Sequence, residues 1–245
     1  MVIQISVVIP VYNSEKTLAE LILRLTHTLQ KLCTIQYEII LVDDHSQDDS
    51  YRELQRLKKH HPQIKLIQLE RNFSQQNALM CGLHYAEGTF IITMDDDLQH
   101  PPEEIEKLLK KLEEGYDVVF GIPIKKNHPK YRNVGTKLIR WLFNKICAKP
   151  SGVQVSSFRI MRRNIVKQLI LNTTSFVYLA PIIFKVTSNV ADIPVIHDQR
   201  KCGESNYNPY TLIKLFIKVI LYYSSFSKYL PFPKKPQFVI KNIQW

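Results

Sequence analysis

Neither phosphate-loop signature, GxGxxG nor GxxxxGK[ST], occurs anywhere in the 245 residues, so ordinary dinucleotide and kinase-type nucleotide binding lose support. The four cysteines, Cys33, Cys81, Cys147 and Cys202, are scattered with no pair at zinc-ligand or redox-motif spacing, and reduced thiols in a cytosolic setting are the expectation. Residues 1 to 9 lack the charged start and cleavage site of a signal peptide, and Pro10 closes their apolar run too early; they read as a first strand. The apolar stretch Tyr210 to Phe226 is interrupted by Lys214 and Lys218. A spanning helix needs about 20 apolar residues, and a central lysine costs roughly 2.5–3.5 kcal/mol, which disfavours a membrane crossing.

Acidic residues are also nearly missing from the second half. Residues 1 to 117 hold 12 Lys/Arg against 19 Asp/Glu, and residues 118 to 245 hold 21 against 3, so −7 is followed by +18. A basic half in an enzyme-like chain points to a polyanionic partner, whether nucleic acid, an anionic membrane surface or phosphorylated substrates, against a merely solvated basic face. Nucleic acid ranks last, because the aromatics form no obvious strand platform.

What is present is an alternation of strands and helices. Strands are expected at Ile3–Val11, Tyr37–Val42, Ile64–Leu69, Thr89–Met94 and Val118–Ile122, and helices from Glu15 to Leu32, Asp48 to His61, Gln75 to Ala86 and Pro102 to Glu114, with Ser14 capping the first helix. This spacing predicts an α/β domain with a mostly parallel central sheet flanked by helices, large enough for one substantial core. Further on, a helix is expected over Tyr131 to Ala148, a strand from Ser157 to Met161, a helix to Leu171, a helical run Phe176 to Val186, and a strand Val190 to Ile196 that Pro194 confines to an edge or a bulge. His197, closing that strand, reads more readily as structural than catalytic.

Ligands of such sheets gather at the carboxyl ends of the strands, which brings Tyr12 to Glu15, Asp43-Asp44, Arg71 and Asp95 to Gln99 around one cleft. Asp95, Asp96 and Asp97 end an apolar strand, and three adjacent carboxylates repel unless a cation sits among them. Asp95, Asp97 and the Gln99 carbonyl alternate so that they can converge on a hard cation such as Mg²⁺ or Mn²⁺; the bland alternative is a solvated acidic turn capping the next helix. In Tyr210–Phe226 the two lysines share a helical face, and a helix lying in the membrane interface competes with one packed on the core. Lys228, Lys234, Lys235 and Lys241, interleaved with Tyr229, Phe232 and Trp245, support the interfacial option. The expected boundaries are a domain over 1–208 and an amphipathic helix with a basic tail over 209–245.

Five segments in order, Val8-Ile9-Pro10-Val11-Tyr12-Asn13-Ser14-Glu15, Val42-Asp43-Asp44-His45-Ser46, Arg71-Asn72-Phe73, Met94 to Pro102 and Gly203-Glu204-Ser205-Asn206-Tyr207, resemble the family 2 glycosyltransferases. The subgroup they look most like is the polyprenyl-phosphate glycosyltransferases, including dolichol-phosphate mannose synthase, over roughly residues 4 to 226. The resemblance implies a GT-A fold that binds a nucleotide-sugar and a divalent metal, Mg²⁺ or Mn²⁺. It implies that Pro10, Tyr12, Asn13 and Glu15 hold the nucleotide, that Asp43 contacts the base, and that Asp95, Asp97 and Gln99 hold the metal on the diphosphate, with Asp97 and Arg159 catalytic. Arg200 falls in the basic loop that closes on the diphosphate. Arg132 and Lys137 fall where the subgroup has basic residues facing the acceptor phosphate, and Arg159 is a further candidate.

Two departures matter. Many relatives carry an acid where this chain has Ser157, and a hydroxyl acceptor would want that acid as a base unless Asp96 or another carboxylate substitutes. A phosphate monoester, with its second pKa near ~6, needs none. Asn206 stands where many members have lysine, and Lys201 is the candidate replacement. The expected activity is therefore inverting, metal-dependent sugar transfer to a polyprenyl phosphate by a cytoplasmic protein peripheral to the inner membrane face, through its last helix or a membrane-protein partner. The alternatives are transfer to a glycan hydroxyl and an inactive membrane-associated scaffold.

Overall fold

The computed structural model describes residues 4–32, 36–124, 150–198, 217–223 and 236–245. Seven segments rich in β-branched and other apolar residues form strands, β1 (Ile5–Val11), β2 (Tyr37–Asp43), β3 (Ile64–Leu69), β4 (Phe90–Thr93), β5 (Val118–Pro123), β6 (Arg159–Arg162) and β7 (Val190–Val195), and β8 (Ile240–Gln244) comes from the far end of the chain. They make one eight-stranded sheet in the order β7-β5-β6-β4-β1-β2-β3-β8. Pairs β1/β2, β1/β4, β2/β3 and β5/β7 are parallel; β6 runs against both β4 and β5, and β8 against β3. The sheet is thus mostly parallel, as expected, and Pro194 lies in the edge strand β7.

Helices α1 (Glu15–Leu32), α2 (Ser50–His60) and α4 (Ile105–Glu113), the last entered through a 3-10 turn at Pro102–Glu104, bury their apolar stripes on one face. Helices α3 (Gln75–His84), α5 (Arg163–Leu169) and α6 (Leu179–Val186) cover the other. The alternation of side chains along β1 decides which residue serves which layer: Ile5, Val7, Ile9 and Val11 enter the first core and Val8 the second. Helix α3 lies so close to the sheet that a Cβ on Gly82 would overlap Val8 Cγ1.

Several expected boundaries shift. The run Phe176 to Val186 becomes helical only at Leu179, because Tyr178 is extended. Helix α3 ends at His84, and the strand expected from Ser157 starts at Arg159. The reading of the last residues as a basic tail is corrected for Ile240–Gln244, which zips onto β3 as the eighth strand. Its short length and its Lys and Asn hid the period-two pattern. The segment before it is fastened by side-chain amides: Asn77 Nδ2 donates to the Gln237 carbonyl at 2.5 Å, and Gln237 Nε2 donates to the Asn172 and Thr174 carbonyls at 2.6 and 2.9 Å. Residues 217–223 are helical. Val219 and Tyr223 are buried, while Ile217 and Leu221 face outward at 50% and 38% exposure. The expected helix over Tyr131–Ala148 lies outside the described residues.

Candidate active site

Parallel β1, β2, β3 and β4 deliver their carboxyl ends to one rim, where Val11 pairs with Asp43 in register. Antiparallel β6 brings its beginning to the same rim, with Arg159 opposite Thr93. Among the described residues four non-glycine positions have positive φ, and one falls in each loop leaving the central strands: Asn13 (53°), His45 (63°), Ser74 (81°) and Leu98 (62°). Backbone of this kind costs energy and tends to mark sites where geometry is overdetermined.

The three consecutive acids point three ways. Asp95 turns toward α3 and β6, accepting Gln75 Nε2 on Oδ1 at 2.7 Å and Ser157 Oγ on Oδ2 at 2.6 Å. Asp96 turns toward the β1–α1 loop, accepting Tyr12 N at 3.1 Å and Ser14 Oγ at 2.5 Å on one oxygen, while its backbone carbonyl accepts Thr17 Oγ1 at 2.7 Å. Burial lifts the Asp96 carboxyl to about 6, against the pull of Ser14 and Tyr12. Asp97 accepts Gln99 N at 3.1 Å and lines a cavity of about 250 Å³ with residues 13–17 and Asp48. Ser14 is therefore a bridge to Asp96 through its hydroxyl rather than the simple helix cap expected, and Asp48 Oδ2 accepts Glu15 N instead.

The expected donor residues that are described gather on or beside this rim. Tyr12 is 45% exposed; Asn13 Oδ1 accepts Gln47 N at 2.7 Å and Glu15 Oε2 accepts Asp49 N at 3.1 Å, so both tie the first loop to the second. Pro10 is buried inside β1, one residue short of the rim. Asp43 is buried; its Oδ1 accepts Ser46 N at 3.2 Å, and its Oδ2 has no hydrogen-bond partner among the described residues. A buried acceptor left open in this way calls for a donor from elsewhere. Neighbouring Asp44 accepts Phe73 N at 2.7 Å, and burial raises its carboxyl to about 6. Arg71, at the same rim, stacks on the Phe73 ring.

Arg159 is 2% exposed, its Nε donates to Thr93 Oγ1 at 3.0 Å, and its guanidinium lies over the Phe120 ring. Burial lowers it to about 10, with Asp95 acting in the opposite sense. The Gln99 carbonyl accepts Asp198 N at 3.0 Å, which fastens the β7 exit to the acidic loop. His100 and His197 were not among the expected site residues, yet their rings meet at 5.1 Å with His100 Nδ1 3.9 Å from Asp95 Oδ2. The strand-end position of His197 was the only sequence hint. Arg132, Lys137, Arg200, Lys201 and Asn206 lie outside the described residues. Among the described residues no three His, Cys, Asp or Glu side chains are grouped to hold a metal.

Comparison with known proteins gives this rim its family. The description "Glycosyl transferase family 2" matches residues 6–170. The chain belongs to that family. As a family 2 glycosyltransferase, it is 38% identical over 219 residues to an undecaprenyl-phosphate 4-deoxy-4-formamido-L-arabinose transferase of Klebsiella pneumoniae (strain 342). The match covers 89% of this chain and 66% of the relative, so the chain spans just under two thirds of that protein. Among solved structures, glucosyl-3-phosphoglycerate synthase from Mycobacterium tuberculosis, in complex with Mn²⁺, uridine diphosphate and glucosyl-3-phosphoglycerate, superposes with a TM-score of 0.61 at 17% identity, over 89% of this chain and 77% of that one. The mannosyltransferase PcManGT from Pyrobaculum calidifontis, in complex with GDP-Man and Mn²⁺, gives 0.62 at 16% identity, over 96% and 66%. At these identities the structures establish a shared fold.

Proposed function

We propose that the protein transfers a sugar, with inversion, from a nucleotide-sugar to a polyprenyl phosphate. The observation that carries this reading is the meeting of the acidic loop Asp95–Asp97 with the loop Tyr12–Glu15 and the open Asp43 carboxylate on one rim. The Klebsiella relative, named for an undecaprenyl-phosphate acceptor, supports the acceptor class.

Asp43 Oδ2 is suited to accept an N–H from the nucleotide base, and Asn13, Tyr12 and Glu15 flank it along the same rim. Asp95, Asp97 and Gln99 would offer a hard divalent cation only oxygen donors, the chemistry such a cation prefers. A site with two carboxylates and no closed cage suits Mg²⁺ or Mn²⁺, which commonly complete their shell with water and substrate phosphates. When bound, the cation neutralises charge that develops on the diphosphate as the sugar–oxygen bond breaks. The acceptor phosphate forms the new bond to the anomeric carbon, and the nucleoside diphosphate leaves. Ser157, where a hydroxyl acceptor would need a base, is consistent with an acceptor already ionised.

Buried Arg159 serves as a counter-charge behind Asp95, and direct contacts to the acceptor phosphate fall to Arg132 and Lys137. Arg200 would close over the diphosphate. The exposed Ile217 and Leu221 suit contact with the apolar boundary of a membrane on the cytoplasmic side, and no helix among the described residues is long and apolar enough to cross a membrane. The test is transfer of radiolabelled sugar from a panel of nucleotide-sugars, with Mn²⁺ and polyprenyl phosphate. An organic-extractable product is expected. A product found only in water-soluble glycan would point to a hydroxyl acceptor, and no product from any donor would sink the proposal.

A further inference from the structure

We infer that Gln75 and Ser157 are positioning residues that fix the Asp95 carboxylate for the donor's metal, an inference that rests on the metal reading above. Asp95 is held from both sides: Gln75 Nε2 donates to Oδ1 at 2.7 Å and Ser157 Oγ donates to Oδ2 at 2.6 Å. The two donors come from opposite directions in the fold, one from the first residue of α3 and the other from the residue two before β6. A carboxylate on a loop has two torsions to settle, and a bond to each oxygen settles both. One lone pair on each oxygen remains for a cation.

Ser157 is itself braced. Thr93 Oγ1 donates to the Ser157 carbonyl at 2.6 Å and accepts Arg159 Nε at 3.0 Å, so a buried guanidinium holds the threonine that holds the serine. Gln75 has a different support, for it opens α3 directly after Ser74, whose backbone is locked at φ 81°. An exposed glutamine would ordinarily be free to sample solvent. Here it reaches across to a carboxylate 20 residues away.

Hydrogen bonds to a liganding group matter to metal affinity almost as much as the ligand, and losing one typically weakens binding by roughly 10–100-fold. The experiment titrates Mn²⁺ alone, then with UDP or GDP, into wild type, Gln75→Ala, Ser157→Ala, Ser157→Thr and Asp95→Ala, following free Mn²⁺ by paramagnetic resonance. Thermal unfolding of each metal-free protein is recorded alongside. Gln75→Ala and Ser157→Ala are expected to weaken Mn²⁺ binding about tenfold or more without a matching loss of thermal stability, and Ser157→Thr, which keeps the hydroxyl, to restore it. If wild type binds Mn²⁺ and both alanine variants bind it equally well, the clamp is overturned while the metal reading stands. If wild type binds no Mn²⁺ and Asp95→Ala still transfers sugar, the metal reading falls and the clamp with it.

Discussion

Ser14 Oγ donates to Asp96 Oδ2 at 2.5 Å, joining residues 82 positions apart. The same carboxylate oxygen accepts Tyr12 N, so one acid of the 95–97 run holds the loop assigned to the donor while its neighbours face elsewhere. Hydrogen bonds to charged groups contribute about 1.5–3 kcal/mol. Ser14→Ala is therefore expected to raise the donor KM by about tenfold with a smaller change in kcat, as a loosened loop binds less well but reacts normally once filled. Steady-state kinetics over a donor concentration series provides the check, and an unchanged KM would show that the bond does not shape the donor site.

Asp97→Ala is expected to lower metal-dependent transfer by roughly a hundredfold or more. The fold should persist, because Asp97 lies on the rim and lines a cavity instead of the core. Circular dichroism and transfer assays on the same preparation test this, and retained activity would mean the metal sits elsewhere.

Asp44 carries a pH signature. Its folded carboxyl is raised to about 6 from an ordinary 3.8 by burial, so the folded chain holds a proton that the unfolded chain releases earlier. Its stabilising share is complete below about pH 4 and is lost as pH climbs to about 6, a change on the order of 2–3 kcal/mol. Asp44→Asn keeps an oxygen for Phe73 N and removes the titration. Urea unfolding at pH 4 and pH 7 should show the variant gaining on wild type only at the higher pH, and a gap that is the same at both would clear Asp44.

Ser74 adopts φ 81° and ψ 151°, a region normally reserved for glycine, at a cost of order 1–3 kcal/mol. Ser74→Gly is expected to raise stability by about 1 kcal/mol, part of the relief being offset by the greater freedom of glycine in the unfolded chain. A shift of the urea midpoint to lower concentration would contradict the strain.

The central strands were legible because Val, Ile and Leu runs closed by polar loop residues leave little alternative, and the rim then follows from parallel packing. The division of labour among Asp95, Asp96 and Asp97 was not legible. It depends on Gln75, Ser14 and Ser157, polar residues common in any turn, and on the left-handed backbone at Leu98, which no propensity foretells. Arg159 was named from the resemblance as catalytic and phosphate-facing; only the register Thr93 to Arg159 reveals that it is buried behind the acid. Strand β8 escaped notice because it has only five residues, two of them exposed polar ones, and its partner lies some 175 positions earlier.

Strand β6 runs against its neighbour β4, so the rim receives the start of one and the end of the other. Position 157 therefore faces the Asp95 carboxylate directly. Placing an acid there would set a second negative charge within hydrogen-bond distance of Asp95, and such a pair persists only by sharing a proton or a cation. A serine-to-acid exchange at 157 should therefore come with a change in what the site binds or where its proton goes.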